Sequence, residues 1–447
     1  MGLNNSLPFL VAFVADFLTG DYWMILILLI VFYLPGIAII TFCAWPYLIG
    51  DEFPITLYRV GFQILYSIGN GGIDTIVDIF GAKQFHPVIH TYLLDSYFVW
   101  SAVMAGVGGV TAELVYCLTA NAYVTISYGL MFIALLISTL LFVYGTKRYI
   151  VRKNNMKDNV LTARAMLSAA LCWKTSEQGQ LVACPPGFNK VKKSRGGRVR
   201  DELVTAARRL ALVVPVQGMF IPVNVAWSQM VAILIPMSYS MQHPKMWTGT
   251  NMVFVNSSHV VLFGILANKF FYPYLEKKNI KLSTAHQVAI GSVVMALMYF
   301  ALLGIDHRMR RVYAETGEMI SIGWQYFPYA IGGLGAIFTL PPQDAITYRV
   351  APSEWKVLGN AVNKFMQQGI SNFICLALYK RTEAWFTPSN SSENNIIGIA
   401  NYTSASSNKF MWIMVGFALL QAVICALPWV NRWYIKIEKY CEARSDQ

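Results

Sequence analysis

Gly69-Asn-Gly-Gly-Ile-Asp-Thr-Ile-Val-Asp-Ile-Phe-Gly-Ala-Lys-Gln-Phe85 sets the character of the whole chain. An apolar run over 57–68 leads into it, so the glycines lie inside a segment of membrane length. Glycine in such helices lets a neighbouring helix or a solute come close to the backbone. Asp74 and Asp78 follow at i and i+4 and share one helix face. A carboxylate at membrane depth costs roughly 2.5–3.5 kcal/mol on insertion scales and faces a cavity or a partner. The spacing therefore predicts a helix lining an aqueous passage. The alternative is a packing helix whose acids sit at the water boundary.

The composition agrees with a membrane environment. The chain is 56% hydrophobic and 13% charged, with a net charge of +12 and a mean hydropathy of +0.47. Soluble domains carry about 25% charged residues. The positive balance needs no nucleic acid, because lysine and arginine gather in cytoplasmic loops of membrane proteins. Seven cysteines are scattered without C-x-x-C or metal-ligand spacing, so neither a disulfide framework nor a metal site is expected. Nucleophile-elbow, Walker and H-E-x-x-H motifs are absent, which argues against an enzyme, and no cofactor is implied.

Spanning helices need about 20 mainly apolar residues. The first run, 7–18, is shorter and reads as the second half of a helix whose beginning is missing. Further spans are predicted over 22–43, 57–80, 97–112 and 123–144, then over 210–241, 252–272, 286–304, 320–348, 355–379 and 410–430. This gives an all-α membrane protein with about 11 spans, the first truncated. An incomplete first lobe covers 1–146 and a six-helix second lobe 210–431. Between them, 147–209 holds about fifteen Lys and Arg against about four acids and is a basic cytoplasmic linker. Within it, 155–173 has helical periodicity and 185–197 is Pro-, Gly- and Lys-rich. The remaining 432–447 form a cytoplasmic tail. Pro215, Pro222 and Pro236, and the pair Pro341-Pro342, predict kinks.

Basic loops place the linker, the 277–281 turn and the tail on the cytoplasmic side. The loop 381–409 then lies outside, where Asn390 and Asn401 head glycosylation sequons. His307-Arg-Met-Arg-Arg311 dissents, since it is basic and lies on the outer side. The expected location is the plasma membrane, with an endolysosomal membrane as the alternative. The expected partners are the lipid bilayer and a small solute, not nucleic acid.

The opening stretch resembles the Gly-Thr-Gly-Gly-Ile-Lys-Pro…Phe-Gly-x-Asp-Gln-Phe signature of the proton-coupled oligopeptide transporters, a branch of the major facilitator superfamily. Gly69, Gly71, Gly72, Ile73, Phe80, Gly81, Gln84 and Phe85 match. Ala12-Phe-Val-Ala-Asp-Phe-Leu-Thr-Gly20 is similar to the superfamily's turn after its second helix, and Tyr272-Pro-Tyr-Leu-Glu-Lys-Lys-Asn-Ile280 to the family's turn after its eighth. The connector from Tyr149 through Asn159 to Trp173 resembles that of animal members, without their long extracellular domain. The resemblance implies two six-helix lobes around a central cavity, alternating access, and symport of di- or tripeptides or related solutes with protons.

The family's charges are rearranged here. Its helix 4 lysine is Asp74, its proline is Thr75, and its signature acid is Lys83. Its helix 1 acidic motif falls in the missing helix. Its helix 7 acid falls at Ser228 or Gln229 and its helix 10 glutamate at Ala336. The resemblance leaves Gln229, Asn256 and Tyr329 as substrate-facing candidates, each of which serves equally as a packing residue. Lys364 is a cation inside an apolar span. The coupling candidates are Asp74 or Asp78 facing Lys364 across the lobes. The alternative for Lys364 is to snorkel to the cytoplasmic boundary. His259 reads as a proton relay or as a satisfied core histidine. Three functions are consistent with these features: a peptide-type transporter, a divergent carrier of another solute or one without protons, and a non-transporting scaffold.

Overall fold

The computed structural model describes residues 2–45, 53–85, 91–119, 124–151, 193, 201–244, 247, 249–280, 282–388 and 396–445. Nearly all of them are helical. The expected helix over 155–173, the linker 185–197 and Asn390 lie outside these residues.

Helix α1 runs Gly2–Val14 and ends in a π-helical turn, Ala15–Thr19. Gly20 follows with φ 81° and ψ 158°, a conformation that suits glycine, and α2 begins at once over Asp21–Cys43. Helix α3 covers 55–82 and α4 Thr91–Thr119. Helix α5 is Val124–Tyr144. After the linker come α6 (Asp201–Gly218), α7 (Ile221–Ser238), α8 (Val253–Lys277), α9 (Thr284–Thr316) and α10 (Tyr326–Val350). Helix α11 covers 356–381, α12 is Asn408–Ala426 and α13 is Pro428–Ser445.

Two features bear on the proline expectations. The single kinked span expected over 210–241 is two helices, α6 and α7, parted at Met219-Phe220 between Pro215 and Pro222. Helix α10 instead continues through Pro341-Pro342. Beside this pair lies a buried amide network: Gln217 Nε2 donates to Gln343 O at 3.0 Å, and the Asn224 and Gln343 amides exchange two bonds of 3.1 Å.

Among the described residues, seven helices are long and apolar enough to cross a membrane: α2, α8, α9 and α12 with Ser96–Tyr116, Thr125–Arg148 and Ile221–Ser238. Helices α3, α10 and α11 carry charged and amide side chains mid-span, and these three build the site below. The large core of the second lobe packs α7, α9, α10 and α12, with the fully buried Tyr299 hydroxyl donating to Ala226 O at 2.6 Å. The lobes meet along two seams. On one, α4 packs on α8, with Gly106 and Gly109 against Val261 and Ser257. On the other, α1 and α3 pack on α11 through Val11, Ala12, Ile76, Val357 and Ala361.

The signature glycines divide between packing and cavity. A Cβ on Gly69 would lie 2.7–2.8 Å from the Cβ, Cα and N of Tyr33 on α2. At Gly72 it would meet the Leu28 and Val11 side chains at 2.8–3.1 Å. Gly71 lines the cavity. Gly69→Ala is therefore expected to destabilise the protein. Relief of the helix-propensity penalty returns about 1 kcal/mol, whereas overpacking against a backbone costs about 1–3 kcal/mol. Thermal unfolding in detergent reads the difference. Gly108→Ala is the control, because nothing lies within 4 Å of its Cβ position.

Candidate functional site

The site begins with Lys364, the last residue before a π-helical turn, Phe365–Ile370, in α11. Its ammonium lies 3.9 Å from Asp74 Oδ2, 3.8 Å from Asp78 Oδ2 and 4.0 Å from Asp344 Oδ2. Helix α3 supplies the first two acids, one turn apart, and α10 supplies the third. Lys364 thus sits among the acids and does not snorkel to the boundary. No one carboxylate claims it, so it holds three anions together.

The acids differ in their other partners. Ser101 Oγ on α4 donates to Asp78 Oδ1 at 2.6 Å. Asn363 Nδ2 and Gln367 Nε2 donate to Asp344 Oδ1 at 2.6 and 3.3 Å. Asp74 is the open one: its side chain is 49% exposed, against 22% for Asp78 and 14% for Asp344. It faces a cavity of about 230 Å³ lined by Pro8 of α1, Asn70, Gly71, Asp74 and Thr75 of α3, and Lys364 and Gln368 of α11. The neighbours Gln367 and Gln368 thus serve opposite sides, one holding Asp344 and the other lining the cavity.

Toward the linker the cavity is sealed. Asn360 Nδ2 donates to Thr75 O at 2.8 Å, and Leu358 N donates to the buried Asp16 Oδ2 at 2.7 Å. Lys83 reaches Asp21 at 2.6 Å and Asp16 at 4.0 Å. The Phe17 and Trp355 rings close the layer below at 5.3 Å. Asp16 Oδ2 thus ties α1 to the backbone near the start of α11, across the lobe boundary.

The remaining signature residues act away from the cavity. Gln84 accepts from Ile150 N at 2.8 Å, and Phe80 packs on Phe142 and Tyr149, which fixes the chain where the linker departs. Phe85 meets Tyr97, and the Tyr97 hydroxyl approaches Gly81. Gln229, Asn256 and Tyr329 are not brought to the Asp74 cavity. They lie on α7, α8 and α10, where Asn256 Oδ1 faces Gly332 beside Met230. Gln229 Oε1, Asn256 Oδ1 and the Tyr329 hydroxyl are buried without a hydrogen-bond partner among the described residues. His259 is satisfied by Val255 O at 2.7 Å and the Tyr326 hydroxyl at 3.0 Å. Asn401 lies within a helical turn, Ile399–Ser404, whose Tyr402 is buried.

Sequence reasoning missed Asp344 and the bridging role of Asp16. Asp16 stood in a quoted turn motif, which was the available signal. Asp344 follows Pro341-Pro342-Gln343, and an acid inside an apolar span was the signal there.

A family model described as the POT family matches residues 22–393. The Arabidopsis thaliana protein NRT1/PTR FAMILY 5.13 is 24% identical over 412 residues, which is 81% of this chain and 72% of that protein. The crystal structure of the POT family transporter PepTSo matches with a TM-score of 0.70 at 20% identity, over 97% of this chain and 88% of that one. An auto-inhibited POT family peptide transporter matches with a TM-score of 0.66 at 20% identity, over 95% and 85%. These likenesses establish the two-lobe major facilitator architecture and a multi-pass integral membrane protein. Because the family model spans most of its length, the chain belongs to the POT family.

Proposed function

We propose that this chain carries oligopeptides or related small solutes across a membrane by alternating access, with protons taken up at the Asp74–Asp78–Asp344–Lys364 cluster. One observation carries the reading: a cavity between the lobes holds a carboxylate and an ammonium from opposite lobes and is closed toward the linker by a separate set of contacts. A carrier needs such a layer on each side in turn, and a coupled carrier needs a titratable group between them. Asp78 and Asp344 share a cation and have neutral donors, so a proton on either releases Lys364 toward the others. Charge bias puts the linker in the cytoplasm, with the plasma membrane or an endolysosomal membrane as the location.

The test is uptake of a labelled dipeptide into proteoliposomes at an external pH of about 5.5 and about 7.5, so that only the lower value imposes an inward proton gradient. Wild type is expected to take up severalfold more at the lower pH. Asp78→Asn and Asp344→Asn are expected to flatten that ratio. Equal uptake by wild type at both values would exclude proton coupling. Absence of any uptake would favour a non-transporting scaffold.

A further inference from the structure

We propose that the cavity selects net-cationic solutes and that Asp74 receives their ammonium group. The inference rests on the transport reading above and names its substrate class.

The cluster has three carboxylates and one ammonium. One ammonium shared among three carboxyl groups at 3.8–4.0 Å cannot balance all of them. Asp78 and Asp344 have a hydroxyl and two amides as further donors. Asp74 is the most exposed and lines the cavity, and a carboxylate accepts about four hydrogen bonds. Its unused acceptor capacity therefore faces the space a solute would occupy.

The same cavity offers little to an anion. Among the described residues, Lys364 is the one basic residue in its lining. Lys83 is spent on Asp21 and Asp16 beyond the Asn360–Thr75 contact. A solute carboxylate would have to compete with three acids for one ammonium and would lie beside Asp74, and juxtaposed like charges oppose binding. Asn70 and Gln368 supply amide groups around Asp74 that suit a polar, peptide-like body without regard to charge.

The experiment compares three forms of one dipeptide: C-terminally amidated (cationic), unblocked (zwitterionic) and N-acetylated (anionic). Binding to the purified protein and uptake into proteoliposomes are both measured. The amide is expected to bind at least about tenfold more tightly than the acetylated form, with the zwitterion between them. Asp74→Asn is expected to erase most of that preference by weakening the amide. Asp74→Glu keeps the charge and is expected to retain it. An acetylated form that binds as well as the amide, or a preference that survives in Asp74→Asn, overturns the inference. Uptake without charge preference leaves the transport reading standing and removes this one. Asp74-dependent binding of the amide without uptake does the reverse. Binding of none of the three forms removes both.

Discussion

Lys364→Met is expected to abolish uptake and to lower stability by about 3–5 kcal/mol, the usual cost of stranding buried charge. Three carboxylates lie within 4.0 Å of this ammonium. At an effective dielectric near 20, a pair of unit charges about 4 Å apart is worth about 4 kcal/mol. Removing the cation turns that attraction into mutual repulsion among the acids. Asp74, half exposed to the cavity, is relieved by water, whereas Asp78 and Asp344 are more enclosed. Lys364→Met combined with Asp344→Asn is therefore expected to recover roughly half of the lost stability without recovering uptake, because the neutral amide keeps its hydrogen bonds and removes one charge. Thermal unfolding in detergent and dipeptide uptake separate the two effects. A single variant as stable as wild type would show that the acids do not depend on Lys364.

Arg310→Ala is expected to cost a similar amount, about 3–5 kcal/mol, at the opposite end of the second lobe. Arg310 donates from Nε to the buried Asp306 at 2.8 Å and from Nη1 to Thr403 O and Ala405 O at 2.7 and 2.8 Å. Its guanidinium also lies 5.4 Å from the buried Tyr402 ring. Alanine strands one carboxylate and two carbonyls together and frees the segment leading into α12. Arg310→Lys is expected to restore only part of the loss, since an ammonium lacks the planar fork that reaches both partners. Arg311 supplies the control. It pairs with Glu315 on the surface, where such bridges are worth about 0–1 kcal/mol, so Arg311→Ala is expected to change little. Equal losses from the two substitutions would contradict this account.

These arginines also explain why one basic segment disagreed with the charge bias. Arg310 is held by a carboxylate and main-chain carbonyls, Arg311 by Glu315, and Arg308 lies 4.3 Å over the Trp324 ring. They serve the C-terminal end of α9 locally. Charge counting sees residue types and cannot see which of them are committed within the fold.

The same distinction runs through the rest of the chain. The all-helical membrane fold was legible because lipid imposes a composition on every residue that faces it. The meeting of Asp74, Asp78 and Lys364 was legible as a hypothesis, because charges in apolar spans are few and need partners. Asp344 escaped because comparison with the family drew attention to Ala336, two turns earlier on the same helix. The seal at Asp16 left no trace in residue type at its other end, since its partner is the backbone N–H of Leu358. The break between α6 and α7 was signalled by its prolines. The unbroken course of α10 through Pro341-Pro342 was not signalled by its prolines.

The proposed carrier requires that the Asp74 cavity be reached from one face at a time. Its most direct test is a single cysteine at Gln368, Gln368→Cys, in a protein whose seven native cysteines have been replaced, probed with a membrane-impermeant thiol reagent added to either face. In the state described here the reagent should react from the face opposite the linker and not from the linker face, where the Asn360–Thr75 and Leu358–Asp16 contacts close the path. Adding solute with an inward proton gradient should bring reactivity to the linker face. Equal reaction from both faces at rest, or none from either face with solute present, would contradict a carrier of this design.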